Sequence, residues 1–170
     1  DSETPLIEQN LIINCDRGIG LGLGTRGCSG GLIRNNMIYS DHLGLNSDVG
    51  IGLESTQNAR VYNNTIYLNN SYTWAIEFRW AASTGNLIVN NLTNKSIAGR
   101  DSGSATVRNN VTDAAAGWFL NPASGDLHLA QAVNAVVDAG ETLDDVPDDV
   151  DGEPRPIGSG YDIGADEYGF

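Results

Sequence analysis

The side chains that could do chemistry in this sequence are concentrated between positions 54 and 101: Glu54, Trp74, Glu77, Arg79, Trp80, Arg100 and Asp101, with Lys95 among them. Tryptophan faces stack on pyranose rings, and guanidinium forks and carboxylates bond sugar hydroxyls or uronate carboxylates. The same residue types serve two reactions on sugars. Hydrolysis needs two carboxylates roughly 5 to 9.5 Å apart, which Glu54 with Glu77, or Glu54 with Asp101, supplies if they lie side by side. β-Elimination from a uronate needs a cation to neutralise the carboxylate and a base to take the C5 proton. Arg79, Arg100 and Lys95 are the candidates for those roles. The plainer alternative is a ladder of exposed ion pairs contributing about 0–1 kcal/mol each.

Other residue types give narrower signals. Asp148, Asp149 and Asp151, in the run DDVDG, are the candidate ligands for calcium, although the alternating acids and distant glutamate of a calcium loop are absent. Cys15 and Cys28 are 13 residues apart, a spacing compatible either with a disulfide or with two free thiols. His42 and His128 have no neighbours in sequence that suggest a triad, so both are expected to be surface or hydrogen-bonding histidines. The run GIGLGLG leads into no helix and lacks the Gly-Lys-Ser/Thr of a phosphate loop. With Lys95 the only lysine and a formal charge of -13 concentrated after residue 138, nucleic acid and anionic membranes are unsuitable partners. No apolar stretch approaches the roughly 20 residues that span a bilayer.

The elements that must position these residues are marked by asparagine pairs. Asn35-Asn36, Asn63-Asn64, Asn90-Asn91 and Asn109-Asn110 each close a short apolar stretch, and Gln9-Asn10 is an earlier, less regular copy. The second members recur at steps of 26, 28, 27 and 19 residues. A period of that size denotes a solenoid whose coils bury their apolar faces only against each other. Within each unit, strand, asparagine pair and strand follow in the same order, so equivalent strands pair in parallel. The expected fold is all-β, a single-stranded parallel β-helix of about five to six coils, right-handed by the general preference of parallel connections. Aligning the apolar positions sets Ile51 level with Ile76 and Leu53 with Phe78. The outward face then carries one column of Gly22, Glu54, Arg79 and Arg100 beside another of Gly20, Gly52, Glu77 and Ala98. An asparagine at a corner tolerates left-handed φ and bonds the amide of the next coil.

From residue 118 the text changes. FLNPASGDLHL, AVVDAG, DVDGEPRP and YDIGADEY closely resemble the C-terminal segment of secreted bacterial right-handed parallel β-helix proteins, a group that includes polysaccharide lyase-like and surface-anchored proteins. The resemblance implies an extracellular or cell-surface location and a polysaccharide partner. It divides the chain into coils over residues 1–117 and a final coil with an acidic capping segment over 118–170. Arg155, alone among acids, is expected to bridge Asp149, Asp151 or Asp162 there. Family members usually carry more N-terminal coils, so the first coil is expected to meet either further coils of a parent chain or a second copy of itself. Two functions stay open: a polysaccharide-contacting module, alone or as part of a lyase-like protein, and a structural module that stacks end to end.

Overall fold

Apolar residues alternating over three to six positions, interrupted by asparagine, glycine and serine, give short strands with sharp corners. In a computed structural model, which describes residues 4–43 and 47–169, those strands wind into coils. The first coil contains β1 (Leu6–Glu8), β2 (Leu11–Ile13) and β3 (Ile19–Leu21); the second, β4 (Leu32–Arg34), β5 (Met37–Ser40) and β6 (Ile51–Glu54). The third holds β7 (Arg60–Tyr62), β8 (Thr65–Leu68) and β9 (Trp74–Arg79); the fourth, β10 (Asn86–Val89), β11 (Leu92–Thr93) and β12 (Ser96–Arg100); the fifth contributes β13 (Ala105–Arg108). Equivalent strands stack in parallel into sheet A (β1-β4-β7-β10-β13), sheet B (β2-β5-β8-β11) and sheet C (β3-β6-β9-β12). Ile33, Val61 and Ile88 point inward from sheet A, Ile38 and Ile66 from sheet B, and Ile51, Leu53, Ile76 and Phe78 from sheet C, forming one core along the axis. Part of the polar excursion between β5 and β6, residues 44–46, lies outside the described residues.

The two members of each asparagine pair have different jobs. The first turns the corner between sheets A and B: Gln9, Asn35, Asn63, Asn90 and Asn109 all have φ between 49° and 57°, a region that asparagine tolerates better than most residues. The second points inward and forms a ladder. Asn10 Nδ2 donates to Asn36 Oδ1 at 2.9 Å, Asn36 to Asn64 at 2.8 Å, Asn64 to Asn91 at 2.9 Å and Asn91 to Asn110 at 2.9 Å. Each Nδ2 from Asn36 onward also donates to a backbone carbonyl of the preceding coil, for example that of Ile33 from Asn64.

The closing segment lies along the flank of the helix, rather than only across the end of the stack. The hairpin β14 (Phe119–Asn121) and β15 (Asp126–Leu129) begins it. Its apolar residues Phe119, Leu127, Leu129, Val136, Ile163 and Ala165 cover the outward side chains Met37, Tyr39, Tyr67 and Leu92 of sheet B. The corner residues hold it in place through their side-chain amides. Gln9 donates to Asp149 O, Asn35 to Asp148 O, Asn63 to Asp162 O, Asn90 to Glu141 O and Asn109 to Ala139 O, so every coil contributes one bond.

One expectation is corrected, and one open alternative is decided. Arg155 pairs with Glu167, not with Asp149, Asp151 or Asp162. Asp149 is instead occupied by the backbone N–H groups of Asp151, Glu153 and Glu167, and Asp162 by those of Asp138 and Tyr168. Cys15 and Cys28 form no disulfide; both are free thiols. Half a coil separates them, which places Cys15 in the turn leading to sheet C and Cys28 in the turn leaving it, at different corners of the same coil.

Candidate functional site

The outward face of sheet C gathers most of the residues singled out by type. Pairing sets Gly52 level with Glu77 and Ala98, and Glu54 level with Arg79 and Arg100. Adjacent coils lie about 4.8 Å apart, so side chains in one column touch. Around Glu77, Tyr72 Oη donates to Oε2 at 2.6 Å, Arg100 Nη1 lies 3.3 Å from the same oxygen, and Arg79 Nε lies 3.9 Å from Oε1. Asp101 takes Arg79 Nη2 at 2.8 Å and Arg100 Nη2 at 3.8 Å. The rings close the patch: the Arg79 guanidinium lies 4.2 Å from the Trp80 ring centre and that of Arg100 lies 5.3 Å from Trp74, whose edge meets Tyr72.

Glu54 belongs to a neighbouring cluster. Its carboxylate accepts the Gly24 N–H and pairs with Arg17 Nη1 at 2.8 Å, while Arg17 Nε bonds Asp48 at 2.7 Å. Arg17 lies across the bare backbone of Gly20 and Gly52: a Cβ at Gly20 would press on Arg17 Cδ at 3.3 Å, and one at Gly52 would lie 3.5 Å from the guanidinium carbon. Arg17 and Tyr72 are the residues that type and spacing missed. The glycine column was the available signal for Arg17, since an outward strand face without side chains leaves room for a neighbour to lie on it. Tyr72 carries no such signal, because it sits in the irregular turn before β9.

This arrangement changes what the residues can do. Glu54 and Glu77, expected to stand on an open face, are 5% and 1% exposed, because the arginines and Tyr72 lie over them. Glu54, held by Arg17 and the Gly24 N–H, is suited to a fixed anion, and the Glu77 carboxylate is engaged by Tyr72, Arg100 and Arg79. Burial, then the Glu77 hydrogen bond, raises the Tyr72 hydroxyl far above its ordinary value, so it is no base. Lys95 donates to Asn70 O, Asn70 Oδ1 and Tyr72 O, holding the turn that carries Tyr72. Its ammonium is thereby engaged in structure. What faces outward is a set of guanidinium edges and indole rings, with Trp80 36% exposed.

Trp80 is also in an unusual conformation. The corner after sheet C is turned by left-handed residues in successive coils: Ser55 (φ 49°), Trp80 (φ 73°) and Asp101 (φ 49°). Serine and aspartate adopt this region at modest strain, whereas a bulky aromatic there is an outlier costing about 1–3 kcal/mol.

Burial alone would raise the Glu54 carboxyl, but the Gly24 N–H and the Arg17 guanidinium hold it below its ordinary value. A carboxyl with a depressed folded-state pKa stabilises the protein above its unfolded value, near 4.3, and that contribution disappears as pH falls through the folded value. Glu54→Gln is therefore expected to be less stable than the wild type in urea at pH 7, with the gap shrinking below pH ~4.

The remaining candidates fall elsewhere. Asp148 pairs with Arg34 at 2.8 Å, Asp149 is enclosed by backbone donors, and Asp151 meets His128 Nε2 at 2.9 Å, so the three aspartates expected to hold calcium face three different partners. His42 lies 3.5 Å from Asp16 on the surface. Among the described residues no helix is long and apolar enough to cross a membrane.

A family model described as a right handed beta helix region matches residues 1–124. Neither the search of curated proteins nor that of solved structures finds a match to the chain.

Proposed function

Because the chain belongs to the right-handed β-helix family, we propose that its sheet C face contacts polysaccharide, as an extracellular or cell-surface binding module or as part of a polysaccharide lyase-like protein. The observation that carries this reading is Trp80, a half-exposed indole kept in a left-handed corner where its counterparts are Ser55 and Asp101. Strained, exposed aromatic residues are retained where the ring is used. Beside it, Arg79 and Arg100 present guanidinium edges that bond sugar hydroxyls or uronate carboxylates, and Trp74 supplies a second indole. The reading assigns binding to this face and no catalytic step, since Glu54, Glu77 and Lys95 are all engaged by partners of their own.

Calorimetric titration with oligouronates and with neutral glucans tests it. Binding to one class is expected, with Trp80→Ala weakening it by about tenfold or more. Alanine keeps the Cβ that strains this corner, so Trp80→Gly, which relaxes it, is the paired control: weaker binding in both variants with an unchanged urea midpoint in the glycine variant would not reflect unfolding. Absence of binding to both classes, together with no unsaturated product, would remove the proposal.

A second reading has its own observation. The outer edges of β1, β2 and β3 are unpaired among the described strands, and Leu6, Leu11 and Ile13 of the first coil are 55%, 57% and 40% exposed. Such an edge is a template for another coil, from a parent chain or a second copy. Association that grows with concentration in sedimentation, and that Leu11→Lys abolishes, is the outcome that supports end-to-end stacking.

A further inference from the structure

Away from sheet C, the flank segment brings three metal-type donors to one point. His128 on β15, Asp151 in the turn after Asp149 and Asp166 near the end of the described chain each offer a ligand atom, and these atoms all lie within 4.8 Å of one another. They come from three separate stretches of the segment. A fourth group fixes the imidazole: Asp126 Oδ1 lies 2.6 Å from His128 Nδ1. That carboxylate accepts the Nδ1 proton and leaves Nε2 facing Asp151 at 2.9 Å. A carboxylate behind one ring nitrogen with the other nitrogen turned to a common point is the usual outer support of a metal-bound histidine.

Charge argues in the same direction. Without a metal, Nε2 must carry a proton to bond Asp151, and a single imidazolium then serves Asp126, Asp151 and Asp166. Two negative charges stay uncompensated within the cluster. One Asp166 oxygen accepts the Leu129 N–H at 2.8 Å, which orients the carboxylate and leaves its second oxygen available. A divalent cation would relieve that crowding of like charge.

We propose that His128, Asp151 and Asp166 form a binding site for a borderline divalent cation of the zinc class, with Asp126 as the carboxylate that positions the imidazole. One imidazole and two carboxylates form a nitrogen–oxygen set suited to zinc, with further positions open to water. Calcium takes six to eight oxygen ligands and has no use for the imidazole. The set shares only Asp151 with the aspartates expected from sequence for calcium. The cation acts as a staple, tying the β14–β15 hairpin to the turn around Asp151 and to the end of the segment, the three pieces that cover sheet B.

Zinc titrated by calorimetry into protein stripped with chelator and dialysed is the test. One saturable zinc per chain with a raised melting temperature is expected, and calcium over the same range should give neither. His128→Gln and Asp151→Asn should each weaken zinc binding by about 100-fold or more, and Asp126→Asn by about 10- to 100-fold at unchanged stoichiometry. Asp151 is exposed, so its variant is expected to fold even if another does not. Cobalt substitution should give a visible spectrum that His128→Gln abolishes. No saturable zinc in the wild type, or zinc bound with wild-type affinity in His128→Gln or Asp151→Asn, overturns the proposal and leaves a proton-bridged ion cluster.

Discussion

Arg155→Ala is expected to destabilise the protein by about 3–5 kcal/mol, because it leaves a buried carboxylate without its cation. The Arg155 side chain is 0% exposed and that of Glu167 1%. All the guanidinium nitrogens are used: Nε donates to Asp148 O at 3.0 Å, Nη1 to Glu167 Oε1 and Asp162 O, and Nη2 to Gly164 O at 2.8 Å and Asn35 Oδ1 at 3.4 Å. Glu167 in turn accepts the N–H groups of Asp162 and Ile157. The pair therefore joins DVDGEPRP to YDIGADEY and both to the second coil. Alanine strands the Glu167 charge and several carbonyls together. Arg155→Lys keeps the charge but gathers its donors at one point, so it should recover only part of the loss. The double variant Arg155→Met/Glu167→Leu should be more stable than Arg155→Ala, since it removes both charges. Urea denaturation gives the magnitudes, and hydrogen exchange in residues 146–168 shows whether the flank segment loosens first. A change below 1 kcal/mol for Arg155→Ala would mean that the segment docks without its ion pair.

The same segment shows where sequence reasoning stops. Asparagine pairs were legible because a corner and an amide ladder both require that residue type at a fixed period. The sheet C register was legible because setting Ile51 level with Ile76 and Leu53 with Phe78 keeps all four inward, whereas a one-residue slip would turn one pair outward. The route of residues 118–169 along sheet B was not legible. Its attachment uses backbone carbonyls, which every residue has, over separations as large as the 140 residues between Gln9 and Asp149. Nor does a lone arginine among many acids say which it chooses: Asp149, Asp162 and Glu167 all accept backbone N–H groups, and only Glu167 also sets a carboxylate oxygen against the guanidinium. Glu77 read as an outward residue, which its strand position confirms, yet its burial comes from Tyr72 and two arginines outside its own column pattern.

Sheet C consequently has two layers of meaning. Its charges form two adjacent ladders, Asp48–Arg17–Glu54 and Glu77 with Arg79, Asp101 and Arg100. Exposed members of such a ladder contribute little stability individually. They do fix the indole positions, since Arg79 and Arg100 are each held by a carboxylate on one side and a ring on the other. A ligand meeting this face would find pre-set groups, which lowers the entropy lost on binding.

Asn64→Ala is the counterpart prediction for the coils, with an expected loss of about 3 kcal/mol or more. Asn64 is 0% exposed at the middle of the ladder. Its Nδ2 donates to Ile33 O at 3.1 Å, Tyr62 O at 3.0 Å and Asn91 Oδ1 at 2.9 Å, and its Oδ1 accepts the backbone N–H and Nδ2 of Asn36 at 3.1 and 2.8 Å. Alanine leaves those partners buried without water, and each such group costs about 1–3 kcal/mol. Asn10, at the exposed end, donates to Asn36 but receives nothing from an earlier coil among the described residues, so Asn10→Ala should cost only about 1 kcal/mol. Asn64→Asp separates hydrogen bonding from packing. Aspartate keeps the shape but has no N–H to donate, and it sets a charge against the carbonyls of Ile33 and Tyr62. If the ladder acts through its bonds, Asn64→Asp must be at least as destabilising as Asn64→Ala in urea denaturation; an aspartate variant close to wild type would reduce the asparagines to space filling.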